Sequence, residues 1–158
     1  MTETTTVGAV AKHLHRLSLL CDSGFALAIH IRYTRPSLLY RTYHQTWIDH
    51  YSEQGFMLSD PVVHWGLAQT GSVNWADLAA NDSAGVLAAA KAHGLANGWT
   101  YATGPATSRT IAGLTKTGAD FTSADRDSII AIINDLHALT EGLETLPPDQ
   151  QDGLRALG

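Results

Sequence analysis

One cysteine, Cys21, stands in a chain of 158 residues, so no disulfide can close within it. That scarcity points to a reducing compartment, and a cytoplasmic protein is the expectation. No apolar run approaches the roughly 18 residues of a membrane-spanning helix. The opening stretch MTETTTVGAVAKHLHRLSLLCD also lacks the basic-then-apolar order of a signal peptide. Positive charge is short as well. Lys and Arg number 10 against 15 Asp and Glu, a net charge of -5, which leaves no basic footprint for gripping DNA unaided.

Catalytic signatures are equally scarce. The chain has 8 histidines, yet His13 and His15 point to opposite sides of a helix, with no HExxH or paired-cysteine pattern beside them. HLHRL lacks the Asp-His that would complete the HxHxDH motif of metal-dependent lactone hydrolases. There is no GxSxG nucleophile elbow and no phosphate-binding glycine loop. Asp60 has the chemistry of a general base but no nucleophile beside it. The expectation is a non-enzyme with no cofactor and no metal.

What is there reads as one globular domain. Hydrophobic residues make up 44% and charged ones 16%, enough for a sizeable core. Val10, Leu14, Leu17 and Leu20 fall at helical spacing, and Asp22-Ser23-Gly24 stops that helix. FALAIHIRY (25–33) and LLYRT (38–42) read as strands flanking a turn at Arg35-Pro36-Ser37. A helix is expected from Tyr43 to Glu53. Another should start at Asp60-Pro61, with Asp as N-cap and Pro in the first turn. Val73-Asn74-Trp75 reads as extended, 84–92 as an alanine-rich helix, and 99–103 with 108–117 as paired strands. A long helix should run from Ser123 to about Glu144. The fold class expected is α+β: an α/β/α sandwich with about five mostly antiparallel strands between helical layers.

Within YHQTWIDHYSEQGFMLSDPVV (43–63), Tyr43, Trp47 and Tyr51 recur every four residues, stacked on one helix face. A buried Tyr or Trp needs a partner for its polar tip. Tyr43 offers an O–H, Trp47 an N–H and Asp60 two acceptor oxygens, a set able to recognise an amide. From spacing alone, a second reading stands equal: core aromatics with satisfied tips, and Asp60 as a helix cap only.

YHQTWIDHY, SDPVV, Val73-Asn74-Trp75 and AKAHGLANGWT together resemble the autoinducer-binding domain of LuxR-type quorum-sensing regulators. That pattern runs Tyr-x3-Trp-x3-Tyr, Asp-Pro, a downstream Trp, then Ala-x3-Gly-x3-Gly before a strand. Tyr43, Trp47, Tyr51, Asp60, Pro61, Trp75, Ala90, Gly94 and Gly98 meet it in order. The resemblance implies an N-acyl-homoserine lactone ligand and a role for each position. Trp47 would donate to the lactone carbonyl, Asp60 would accept the amide N–H, and Tyr43, helped by Thr115, would donate to the amide carbonyl. Tyr51 and Trp75 would wall the site, and Val63, Val86, Ala90 and Leu95 would line the acyl tail. Strand alternation puts Ile111, Gly113 and Thr115 on one face, and the small Ala26 and Ala28 on one face of the first strand.

The same resemblance implies that residues 1–145 form the autoinducer-binding domain. LPPDQQDGLRALG (146–158) then reads as a linker and the start of a helix-turn-helix domain, either truncated or absent. A homodimer is expected, with DNA as a partner only where a full-length protein carries that reader. Two other functions remain open on the sequence. One is a sensor for a different small signal, or a sequestering partner lacking a DNA-binding half. The other is an enzyme using Asp60 as base on the lactone.

Overall fold

The computed structural model describes residues 5–33 and 35–158. The chain begins with α1 (Thr6–Leu20), whose cap is the Thr5 side chain accepting from the Gly8 amide. A hairpin of β1 (Phe25–Arg32) and β2 (Arg35–Arg41) follows, then α2 (Gln45–Glu53), a short 3-10 turn (Phe56–Leu58) and α3 (Pro61–Ala68). Next come β3 (Gly71–Asn74), a second 3-10 segment (Trp75–Asn81), α4 (Val86–Ala92), β4 (Trp99–Thr103) and β5 (Arg109–Leu114). The chain closes with α5 (Ser123–Leu139), a third 3-10 turn (Leu143–Thr145) and α6 (Pro148–Ala156).

The strands form one sheet in the order β2-β1-β5-β4-β3, antiparallel at every neighbouring pair. Each strand divides its side chains between two faces. Ala112 and Leu114 of β5 join Val10 and Leu17 of α1 and Ile129, Ile132, Ile133 and Leu136 of α5 in the larger core. On the opposite face, Ile111 packs with Ala102, Ile31 and the Trp65 and Leu67 side chains of α3. The expected five-stranded α/β/α sandwich is the architecture observed.

Several boundaries differ, each for a local reason. Tyr43 precedes α2 rather than opening it. Thr42 is still tied to β1, its amide donating to Phe25 O at 2.9 Å and its hydroxyl accepting from the Phe25 amide at 2.9 Å. The helix starts only once His44 O takes the Trp47 and Ile48 amides. The second strand begins earlier than expected and includes Pro36, which an edge strand tolerates. Trp75 turns out of the extended path into a 3-10 segment. The last long helix stops at Leu139, short of Glu144, and the chain reverses through Gly142 at φ 67°. A bulge between Ala28 and Ile31 breaks the alternation of β1, with His30 at φ 50°. It turns the His30 ring to the α5 side, where Nε2 meets His137 O at 2.9 Å and the two imidazoles lie 4.2 Å apart.

Residues 148–156 form a helix docked on the first half of the domain. Leu154 is fully buried in the larger core, and the Tyr40 hydroxyl donates to Leu154 O at 2.8 Å. Gly153 meets the Val7 side chain, leaving little space for a Cβ. Truncating Leu154 removes apolar contacts with α1 and β2 at once. Leu154→Ala is expected to destabilise the domain by about 2–5 kcal/mol, lowering the melting temperature by roughly 2–4 °C per kcal/mol. A thermal melt followed by circular dichroism checks it; an unchanged midpoint would mean that α6 is not part of the cooperative unit.

Candidate functional site

The ends of α2 and α3 meet at one carboxylate. Asp60 Oδ1 accepts from the Val62 amide at 2.8 Å, so it caps α3 with Pro61 in the first turn. Asp60 Oδ2 accepts from the Tyr51 hydroxyl at 2.7 Å. Asp60 is 8% exposed, and burial raises its pKa above the ordinary carboxylate value, with Tyr51 and the capped amides pulling the other way. Burial, and the negative charge of Asp60, push the Tyr51 and Tyr43 hydroxyls well above the usual phenol range. Both therefore stay protonated, as donors, at working pH.

Around this carboxylate lies an apolar cluster. Trp47, Phe56, Val86, Ala90 and Leu95 are buried together, with Tyr43, Tyr51 and Trp75 packed against them. Five of the expected site residues, Tyr43, Trp47, Tyr51, Trp75 and Ala90, thus share one cluster, and Asp60 joins it through Tyr51. Trp75 donates its indole N–H to Thr100 Oγ1 at 2.9 Å, which fixes the ring. Gly98 lies so close beneath that ring that a Cβ would overlap Trp75 Cδ2 and Cε3. The Tyr43 hydroxyl donates to Gly113 O at 3.1 Å. Trp47 is 5% exposed, and its indole N–H makes no hydrogen bond among the described residues but is not itself a buried atom.

Two expected residues stand differently. Thr115 is fully buried, but its hydroxyl donates to Gly24 O at 2.8 Å, beside Tyr43, rather than standing free. Val63 is half-buried on α3 and belongs to none of the three apolar clusters. Val86 and Leu95, expected along an acyl tail, are buried in the same cluster. Sequence reasoning missed Phe56, whose ring lies 6.2 Å from Trp47, and His50 and His93, whose rings lie 6.1 and 5.1 Å from it. His50 is three residues past Trp47, and His93 three past Ala90, so helical spacing carried the signal. Thr100 was missed too; it pairs with Gly113 across β4 and β5 on the same face.

Chemically, the site offers neutral donors at Tyr43 and Trp47, one buried acceptor at Asp60, and apolar walls. Among the described residues no group of three or more His, Cys, Asp or Glu could hold a metal ion. No helix among them is long and apolar enough to cross a membrane. An open cleft of about 310 Å³ lies between Pro61, His64, Trp65, Leu78 and Asn81. It shares none of the aromatic donors, so the chemistry favours the cluster at Trp47.

Comparison with known proteins bears on this arrangement. Residues 21–143 match the family model of the autoinducer binding domain. A search of curated proteins finds no match. Solved structures share the fold. SdiA in complex with octanoyl-rac-glycerol is 20% identical with a TM-score of 0.67, over 93% of this chain and 64% of that one. CepR2 of Burkholderia cenocepacia, an N-acylhomoserine lactone-dependent LuxR-family transcription factor, is 15% identical with a TM-score of 0.63, over 87% of this chain and 83% of that one. The solution structure of Escherichia coli SdiA residues 1–171 is 22% identical with a TM-score of 0.61, over 87% and 85%. The chain spans 64% of the length of the first of these. Since the family match takes in α2, the Asp60 cap and the sheet from β1 to β5, the chain belongs to the autoinducer-binding domain family, the sensing part of LuxR-type quorum-sensing regulators.

Proposed function

We propose that this domain is a receptor for an N-acyl-homoserine lactone, held between the sheet and the Trp47 cluster. The observation that carries the reading is the gathering of Tyr43, Trp47, Tyr51 and Trp75 in one cluster beside Asp60, with the Trp47 indole N–H making no hydrogen bond among the described residues and not buried itself. A ligand carbonyl gives that N–H an acceptor in place of water, a net gain of about 0.5–1.5 kcal/mol. Asp60 then accepts the amide N–H, gaining a bond that offsets its burial. The Tyr43 hydroxyl has one hydrogen, so donating to the amide carbonyl replaces its bond to Gly113 O. Thr115 holds Gly24 beside Tyr43 and so supports that residue from behind. Tyr51 and Trp75 wall the head group, and Val86, Ala90 and Leu95 give the tail apolar area, with Val63 nearby on α3.

Binding of this kind stabilises the fold by mass action. In a cytoplasmic regulator carrying a helix-turn-helix domain, it would favour the dimer that reads DNA. A chain without that domain would instead hold the signal or pair with an intact regulator. The octanoyl-rac-glycerol seated in SdiA has an acyl tail and a different polar head, so it belongs in the same ligand panel.

Thermal melting with the panel is expected to give a midpoint shift with lactones, and mass spectrometry to recover the lactone intact. Absence of any shift would overturn the receptor reading, and ring-opened product would favour catalysis. Trp47→Phe is expected to weaken binding by about 0.5–1.5 kcal/mol through one lost hydrogen bond. Asp60→Asn keeps a capping oxygen for α3 but loses the charge, and is expected to cost about 1.5–3 kcal/mol of affinity. Full affinity in both variants would refute the assigned roles.

The pH dependence has a definite sign. With its folded pKa raised, ionised Asp60 disfavours the free fold: its stability contribution is fully present below the ordinary carboxylate pKa and lost as pH rises through the raised one. A ligand N–H stabilises the carboxylate and lowers that pKa, so binding releases a proton between the bound and free values. Affinity is therefore expected to rise with pH across that acidic window and then level off. Titration calorimetry at stepped pH checks this; affinity that falls or stays flat across the window would contradict it.

A further inference from the structure

Where β1 bulges between Ala28 and Ile31, His30 takes a left-handed backbone, φ 50°, that bulky side chains rarely adopt. Its ring is thereby turned toward α5, on the side of the sheet away from the Trp47 cluster. His30 is 4% exposed and pairs with no carboxylate among the described residues. Its Nε2 lies 2.9 Å from His137 O and its Nδ1 2.7 Å from Ser108 Oγ. A carbonyl oxygen can only accept, so Nε2 carries a hydrogen, and a neutral ring then accepts the Ser108 hydroxyl at Nδ1. His137 Nδ1 lies 2.7 Å from Thr110 Oγ1, which also accepts the His30 amide at 3.2 Å. With the Thr110 hydroxyl donating to that Nδ1, each hydroxyl hydrogen has an acceptor, and His137 Nε2–H turns to Glu141 Oε1, 3.8 Å away.

This network closes only with both rings neutral. A proton added at His137 Nδ1 makes it a donor aimed at Thr110, which is fully buried and already accepts one amide hydrogen. The ring has no room to withdraw. It lies 4.2 Å from His30, and a Cβ at Gly104 would come within 2.6 Å of its Cε1. Burial, then the charge of His30, lower the His137 pKa, while Glu141 pulls the other way from an exposed position. Glu144, whose carboxylate feels the charge of His30, is bound by Arg32 at 3.0 Å. Arg109, next to Thr110 on β5, sends its guanidinium to Gly66 O on the opposite face. On α5 itself, Asp135 faces His13 of α1.

We infer that the His30–His137 pair is a proton-operated latch, fastening the end of α5 to the bulge of β1 while neutral and releasing it when a proton enters. It controls the way out of α5. His137 O also accepts from Thr140 Oγ1 at 3.3 Å, and the chain then reverses at Gly142 into the segment that leads to α6. Between the lowered His137 value and the ordinary imidazole one, the open state takes up more protons than the latched state. Latching is therefore complete above the ordinary value and is lost as pH falls through that window. Asp60 acts with the opposite sign, since its raised pKa favours the free fold at low pH.

The test is hydrogen exchange by mass spectrometry, in steps from about pH 8 to about pH 5, corrected for the intrinsic pH dependence of exchange. In the parent chain, protection of residues 137–158 is expected to fall by up to about ten-fold per pH unit, one proton being taken up per opening. Protection of residues 45–68 is expected to hold. His137→Asn places an amide oxygen near the Nδ1 position and takes up no proton, and its profile at 137–158 is expected to be flat. Protection that holds in the parent, or falls equally in His137→Asn, would overturn the latch. An equal fall at 45–68 would do the same, because it marks acid unfolding of the whole domain. Where circular dichroism finds His137→Asn unfolded, His30→Gln takes its place. That variant keeps a donor for His137 O and removes the neighbouring charge, so the fall must lessen; an unchanged fall overturns the inference.

Discussion

A buried carboxylate at the head of α3 is the constraint on which the rest of the site depends. Asp60 must be held by donors, because an unpaired buried charge is costly. It is held from two directions: the Val62 amide of its own helix, and the Tyr51 hydroxyl of α2. The first bond fixes where α3 starts; the second fixes α2 against it. Trp47, one turn before Tyr51, is thereby set into the cluster with Val86, Ala90 and Leu95 of the α4 region. A single side chain thus orients two helices and places an acceptor beside two neutral donors.

The sheet meets this cluster at glycines, which govern how closely side chains approach its backbone. Gly98, just before β4, lets the Trp75 ring approach the backbone, and Thr100 locks that ring by accepting its indole N–H. A Cβ at Gly113 would just touch the Trp75 ring and the Tyr43 hydroxyl, whereas Gly66 lets α3 press onto Ile111. The other face of the sheet is an ordinary apolar core of α1, α5 and α6 against the strands.

Much of this was legible in the sequence because the signals were local. Asp60-Pro61 announced a helix cap, and period-2 and period-3.6 patterns announced strands and helices. The Trp47 and Tyr51 spacing announced one buried face. Tyr43 was legible as a site residue but not as part of a strand exit, since its position depends on Thr42 pairing with Phe25, seventeen residues away. The docking of Leu154 between α1 and β2 was equally hidden, because Pro147-Pro148 suggests a break whether or not the next helix packs back. Nor does any spacing rule bring Arg109 under Gly66, or His30 against His137. Such contacts are made by chain segments 43 and 107 residues apart, and only the assembled fold brings them together.

The central claim is that the Trp47 indole N–H completes its hydrogen bonding on a lactone carbonyl. The most direct measurement follows the indole N–H resonances of the 4 tryptophans by nitrogen–proton correlation spectroscopy during titration with hexanoyl-homoserine lactone. Trp47 is assigned by its loss in Trp47→Phe. The account predicts a saturable downfield shift of the Trp47 signal larger than those of Trp65 and Trp99, which lie away from the donor cluster. Saturable binding that leaves the Trp47 resonance in place would contradict it.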